Sequence, residues 1–230
     1  MNPLLASPVA ARRAASATLL CLVCSPLLGA VLWLSQTDSA AAPAVIFTKE
    51  FPGSQPEYFS LRVEENGQAL YRTAPDDHAP VRFPLSRGVV EQILALSRKL
   101  NQFRDVQLES NRRVASMGKK TLAYENGVDR FAATFNHTEN PDAAALMTLF
   151  ERLSQTQQHL LKLQYLIRFD RLGVVKELLQ LESNLDAGRL LEPVLLTPML
   201  EQIRKDRALV QVAQGRAAHI LAKIASPVKE

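Results

Sequence analysis

Apolar and polar positions alternate in the first half of the chain and recur at helical spacing in the second. Residues 45–51 (VIFTKEF) are β-branched and aromatic and stop at Pro52-Gly53, the pattern of a strand. Residues 58–73 hold two alternating runs on either side of Asn66-Gly67. That dipeptide predicts a hairpin, because both residues tolerate the positive φ of a type I′ turn. The alternation puts Phe59, Leu61 and Val63 on one face of the outgoing strand, with Ala69 and Tyr71 opposite them on the return. A loop follows at 74–80. Residues 86–103 then carry Val89, Val90, Ile93, Leu94, Leu96, Leu100 and Phe103 at helical spacing, with Ser86 placed to cap them. The order then repeats. Residues 117–138 read as a second hairpin with Asn126-Gly127 at its tip. A helix opens behind it, with Asn140 as cap and Pro141 in the first helical position. The triplet Glu-Asn-Gly stands at 65–67 and again at 125–127, so the middle of the chain reads ββα–ββα.

From Ala143 onward the period is helical. Leu146, Leu149, Leu153, Leu160, Leu163, Ile167, Val174 and Leu181 keep a three–four spacing that Thr156, Asp170 and Glu177 interrupt. The interruptions argue against a sustained coiled coil. They predict a long helix bent or broken near 169–173 (FDRLG), where Asp170 can cap the next helix. Residues 181–190 read as a turn, 192–206 as a helix started by Pro193 or Pro198, and 208–225 as an amphipathic helix. The expected fold is α+β. Two hairpins join edge to edge into an antiparallel sheet of four or five strands, helices cover one face, and an all-helical segment closes the chain. The sheet part spans 45–155 and the helical part 156–230. The uncovered face of the sheet is expected to carry Tyr58, Ser60, Arg62, Lys120, Leu122 and Tyr124.

Ahead of the first strand, residues 14–34 form an uncharged apolar run preceded by Arg12 and Arg13 and followed by small residues at 39–44 (SAAAPA). A basic, an apolar and a small-residue region are the three parts of a secretory signal, with cleavage after Ala41 or Ala44. The run also sits at the lower length limit of a membrane span, with Trp33 at the interfacial position. Residues 1–41 are thus a signal peptide or an N-terminal membrane anchor, and residues 14–34 contact the membrane if they are retained. Both readings place the rest of the chain outside the cytoplasm, in the periplasm or on the outer side of the inner membrane. Cys21 and Cys24 are the only cysteines and both lie in this run, so the exported part has no disulfide.

The chain has 230 residues, of which 47% are hydrophobic and 6% aromatic, and a formal net charge of +4. The charges are interspersed and the aromatics few, which excludes the stacked basic surface of a nucleic-acid binder. The local excess at Arg98, Lys99, Arg104, Arg112, Arg113, Lys119 and Lys120 reads as a solvated face. No Gly-x-Ser-x-Gly elbow and no glycine-rich phosphate loop is present. Glu64-Glu65 and Asp76-Asp77 are adjacent pairs, and neighbours on a strand point to opposite faces. The four histidines are His78, His137, His159 and His219. Asp76, Asp77 and His78 stand together in one loop. Three consecutive ligands converge poorly on one ion, so the loop reads as solvated. His159, among glutamines, reads as exposed, and His219 has no acid near it in sequence. No catalytic residue, metal site or cofactor is expected.

The stretches SLRVEENGQALY and KTLAYENGVDRFAATFN resemble the hairpins of β-lactamase-inhibitor-protein-like envelope domains. In style the chain also resembles exported bacterial proteins known as domains of unknown function. The resemblance implies a sheet with helices on one side and assigns no functional residue. The functional expectation is a non-enzymatic interaction module of the cell envelope. It would bind an envelope protein through the open sheet face, at Tyr58, Arg62, Lys120 and Tyr124, or through the amphipathic C-terminal helices. The alternative is a metal-dependent or other hydrolase built on the Asp76, Asp77 and His78 loop together with His137.

Overall fold

The computed structural model describes residues 42–226. The leader and its two cysteines therefore lie outside the described residues. The β-branched opening run forms strand β1 (Ala44–Glu50), and the first hairpin forms β2 (Tyr58–Glu64) and β3 (Gln68–Arg72). A short strand β4 (Val81–Pro84) precedes helix α1 (Arg87–Lys99) and a 3₁₀ turn (Asn101–Phe103). The second hairpin supplies β5 (Lys119–Asn126) and β6 (Asp129–Phe135). Everything after it is helical: α2 (Pro141–Phe169), α3 (Gly173–Asp186), a 3₁₀ turn (Pro193–Leu196), α4 (Thr197–Lys205) and α5 (Gln211–Ala225). Asn140 caps α2, its Oδ1 accepting the N–H groups of Asp142 and Ala143 at 3.0 and 3.1 Å.

The fold is α+β, with one antiparallel sheet of six strands in the order β4-β3-β2-β1-β5-β6. Two details differ from the sequence reading. The hairpins do not meet edge to edge, because β1 lies between them and pairs with both; Phe47 stands opposite Leu61 on one side and Leu122 on the other. The sheet also gains β4, where only Val81 and Phe83 alternate before Pro84. Proline is tolerated there because β4 is an edge strand.

The first turn is also not type I′. Glu65, Asn66 and Gly67 form a three-residue loop closed by the Gly67 N–H on the Glu64 carbonyl at 3.0 Å, and in it only Gly67 takes a positive φ, +88°. In the second hairpin Asn126 pairs with Asp129, so the loop is Gly127-Val128.

One face of the sheet is covered by α1 and the first half of α2. Val45, Phe47, Phe59, Leu61, Val63, Tyr71, Leu122 and Phe135 pack there against Ile93, Leu146, Phe150 and Leu153. Phe47 stacks on Phe150 at 5.5 Å between ring centres and meets Phe59 at 5.6 Å. A second core lies among the helices, where Leu163 and Leu166 of α2 meet Val174, Leu178 and Leu181 of α3, Leu200 and Ile203 of α4, and Ala213, Ala217 and Ile220 of α5. The single helix α2 serves both cores, and the expected boundary at 155/156 falls inside it. The turn expected at 181–190 is shorter, since α3 continues to Asp186 and buries Leu181 and Asn184.

Candidate functional site

The cross-strand register divides the four residues expected on the open sheet face. Tyr58 and Arg62 do lie there. Lys120 and Tyr124 lie on the helix-covered face, with Leu122 between them, because Leu122 and Leu61 both stand opposite Phe47. Alternation within each hairpin was read correctly, but the register between hairpins depends on β1. Tyr124 packs against the sheet core.

The open face is occupied by its own polar contacts. Arg62 pairs with Glu125 and, at 3.4 Å, with Glu64; Arg130 reaches Glu125 at 3.4 Å. Thr48 donates to Ser60 at 3.2 Å, and the Thr121 and Thr134 hydroxyls are 3.0 Å apart. None of the large apolar side chains exposed among the described residues lies on the strands of this face.

Residues 73–80 link β3 to β4. Asp77 organises this loop by accepting the N–H groups of Thr73 and Ala79 at 3.0 and 2.9 Å. Those backbone N–H bonds hold its carboxyl below the usual aspartate value. Asp76 and His78 are exposed. His137 follows β6, four strands across the sheet from β3. At about 4.8 Å per strand that separation is about 19 Å. The structure thus does not bring Asp76, Asp77 and His78 together with His137. Among the described residues no group of three or more His, Cys, Asp or Glu side chains could hold a metal ion.

His159 is buried rather than exposed, because α3 folds back along α2. Its Nδ1 lies 2.6 Å from Glu177 Oε1, and Asn184 Nδ2 lies 2.9 Å from its Nε2. Both ring nitrogens thus have a partner on α3. The pattern of α2 alone could not show this, since Glu177 and Asn184 come from the next helix. His159 belongs to a polar layer between the two cores. Arg152 donates to the Leu190 carbonyl at 3.0 Å and Thr156 to the Leu191 carbonyl at 2.8 Å. Tyr71 and Ser154 are joined by hydroxyls 3.3 Å apart. Gln157 is fully buried in this layer, and neither of its amide atoms has a hydrogen-bond partner. His219 also gains an acid from α3, Glu182, at 3.2 Å. Glu182 ties α3 to α5 through Arg216 as well, and through Lys223 at 3.0 Å.

The most exposed apolar stretch lies at the turn joining α2 to α3. Tyr165 is 54% exposed, Phe169 71%, Leu172 78% and Leu179 54%. The rings of Tyr165 and Phe169 are 5.0 Å apart at 42°, so the two side chains form one patch. Lys162 sits 5.6 Å above the Tyr165 ring, and Arg168, Arg171 and Lys176 share the segment with it. Asp170 is the acid at the turn, and its Oδ1 accepts the Gly173 N–H at 3.1 Å. A Cβ at Gly173 would lie 2.5 Å from Asp170 Oδ2 and 2.8 Å from Leu166 Cδ2, so both side chains would have to shift to admit one. The sequence carried a signal for this patch. Tyr165, Phe169 and Leu172 are large apolar residues that fall off the Leu163–Leu166 stripe.

Among the described residues no helix is long and apolar enough to cross a membrane. No family model matches the chain, and no curated protein matches it.

Proposed function

We propose that this chain is a non-enzymatic interaction module of the bacterial cell envelope that docks a partner protein through the α2–α3 turn. The observation that carries the reading is the exposed pair Tyr165 and Phe169, whose rings meet, with Leu172 exposed at the turn that follows. Contiguous exposed apolar side chains rimmed by polar ones mark contact sites, and aromatic residues dominate binding energy at such sites. The cations at Lys162, Arg168, Arg171 and Lys176 favour a partner whose surface is apolar at the centre and acidic at the rim. The open sheet face is the weaker candidate, since no cluster of large exposed apolar side chains lies on its strands. The hydrolase reading loses its support with the separation of Asp76, Asp77 and His78 from His137. Placement in the envelope rests on the leader pattern at 1–41.

A photocrosslinking residue at position 169 tests the proposal in cells, with the same residue at position 134 on the open sheet face as control. One envelope protein with an acidic surface should crosslink from 169 and not from 134, and Leu172→Asp should abolish the product. No product from 169, or equal products from both positions, overturns the reading.

A further inference from the structure

Lys49 and Lys120 stand directly opposite each other on β1 and β5, both on the helix-covered face. Like charges at a cross-strand pair repel, and burial makes the repulsion stronger. Lys120 is only 5% exposed. Its Nζ donates to the carbonyls of Met117 and Asn136 at 3.1 and 2.7 Å. An ammonium has three N–H groups. Among the described residues no acceptor takes the third, and no carboxylate lies within ion-pairing distance of Lys120. Lys49 has such a partner, Glu151 of α2, at 2.9 Å. Glu151 is thus taken up by Lys49, and Lys120 is left with no carboxylate in contact. Burial of Lys120, and after it the charge of Lys49, lowers its pKa, while Glu151 and Glu109 act in the opposite sense from farther away.

A cavity of about 260 Å³ lies beside this pair. Phe51, Met117, Phe135 and Met147 give it apolar walls, and Ser116 and Thr138 add hydroxyls next to the lysines. The volume is below that of a drug-sized site. A spare buried cation, an ammonium N–H without an acceptor and an apolar wall call for one kind of ligand. We infer that this cavity binds a small organic carboxylate, its carboxyl group on Lys120 and its apolar body against Phe51 and Met147. Glu151 does not oppose the ligand, because Lys49 already neutralises it. The site is independent of the α2–α3 turn.

The test uses the full chain in detergent and follows its thermal unfolding and its calorimetric titration with benzoate, benzyl alcohol and inorganic phosphate. Benzoate should bind saturably and raise the melting temperature. Benzyl alcohol, which has the same body without the charge, should do neither. Lys120→Met should weaken benzoate binding at least about tenfold, since a charge-assisted contact in a buried site is lost. If that variant does not fold, Ser116→Phe serves instead. Ser116 is exposed at the cavity lining, so a phenyl ring there should block entry while leaving the unliganded melting temperature unchanged. The inference is overturned if benzoate does not bind the native chain, if phosphate binds and benzoate does not, or if benzoate binds Ser116→Phe as tightly as the native chain.

Discussion

The two cores of this protein share one helix and are filled with different side chains. Under the sheet lie Phe47, Phe59, Tyr71, Phe83, Phe103, Phe135 and Phe150. Among the helices the buried apolar side chains are all aliphatic: leucine, isoleucine, valine and, on α5, Ala213 and Ala217. The spaces being filled explain the difference. A helix lying on a pleated sheet leaves gaps that planar rings reach across, and the rings add their own edge and stacking contacts. Helix on helix interlocks ridges and grooves at close axial distance, which suits leucine ridges and an alanine where axes approach. Along α2 the change of filling coincides with the layer of Ser154, Thr156, Gln157 and His159. Each of these except Gln157 finds a partner on a different element, so the layer sets the register of α2 against both neighbours.

The contrast can be broken by substitution. Phe150→Ala should cost about 3–5 kcal/mol in denaturant unfolding, because the ring is fully buried and stacked on Phe47. Leu178→Ala should cost about 2–5 kcal/mol. Its first effect on hydrogen exchange should fall on α3, α4 and α5, with the amides of β1 still protected; equal loss in both regions would show that the cores unfold as one. Ala217→Leu should cost about 1–3 kcal/mol by overpacking the approach of α5. A neutral outcome would mean that the aliphatic core is looser than the aromatic one.

Gln157→Met should raise stability by about 1 kcal/mol, since it removes two unpartnered amide atoms at similar length. A loss instead would show that the amide has a role in the polar layer. The smallest effect belongs to Glu182, whose carboxyl is held below the ordinary glutamate value by the Lys223 hydrogen bond and then by Arg216. A carboxyl with a lowered folded-state pKa stabilises the fold above its unfolded pKa. That contribution is lost as pH falls through the folded value. Unfolding followed across that acid range should show a decline of less than about 1 kcal/mol that Glu182→Gln removes.

The elements made by local pattern were legible in the sequence. The two hairpins, the Asn140 cap, the Asp170 break and the α+β order all rest on residues close in the chain. What rests on residues far apart was not. The side of the sheet on which Lys120 and Tyr124 lie depends on β1 entering between the hairpins, and no period within either hairpin carries that information. His159 looked exposed among Gln155, Gln157 and Gln158, because its partners Glu177 and Asn184 arrive only when α3 turns back. β4 was too short to show an alternation. The apolar patch at Tyr165 and Phe169 was half legible. The amphipathic helices that carry it were expected to bind, but the apolar period of α2 runs through Leu163 and Leu166 on its buried side.

The central place of β1 has a consequence for the order in which the molecule comes into being. This strand leaves the ribosome before every other part of the sheet, yet Phe47 completes its ladder only when Leu122 has been made. Between those moments β2 can satisfy one edge of β1 and nothing can satisfy the other. The waiting edge is a run of valine, isoleucine and phenylalanine, the kind of strand that recruits copies of itself. A nascent chain stalled before β5 therefore leaves that edge open to pairing with another copy, and completion of β5 is the step that covers it.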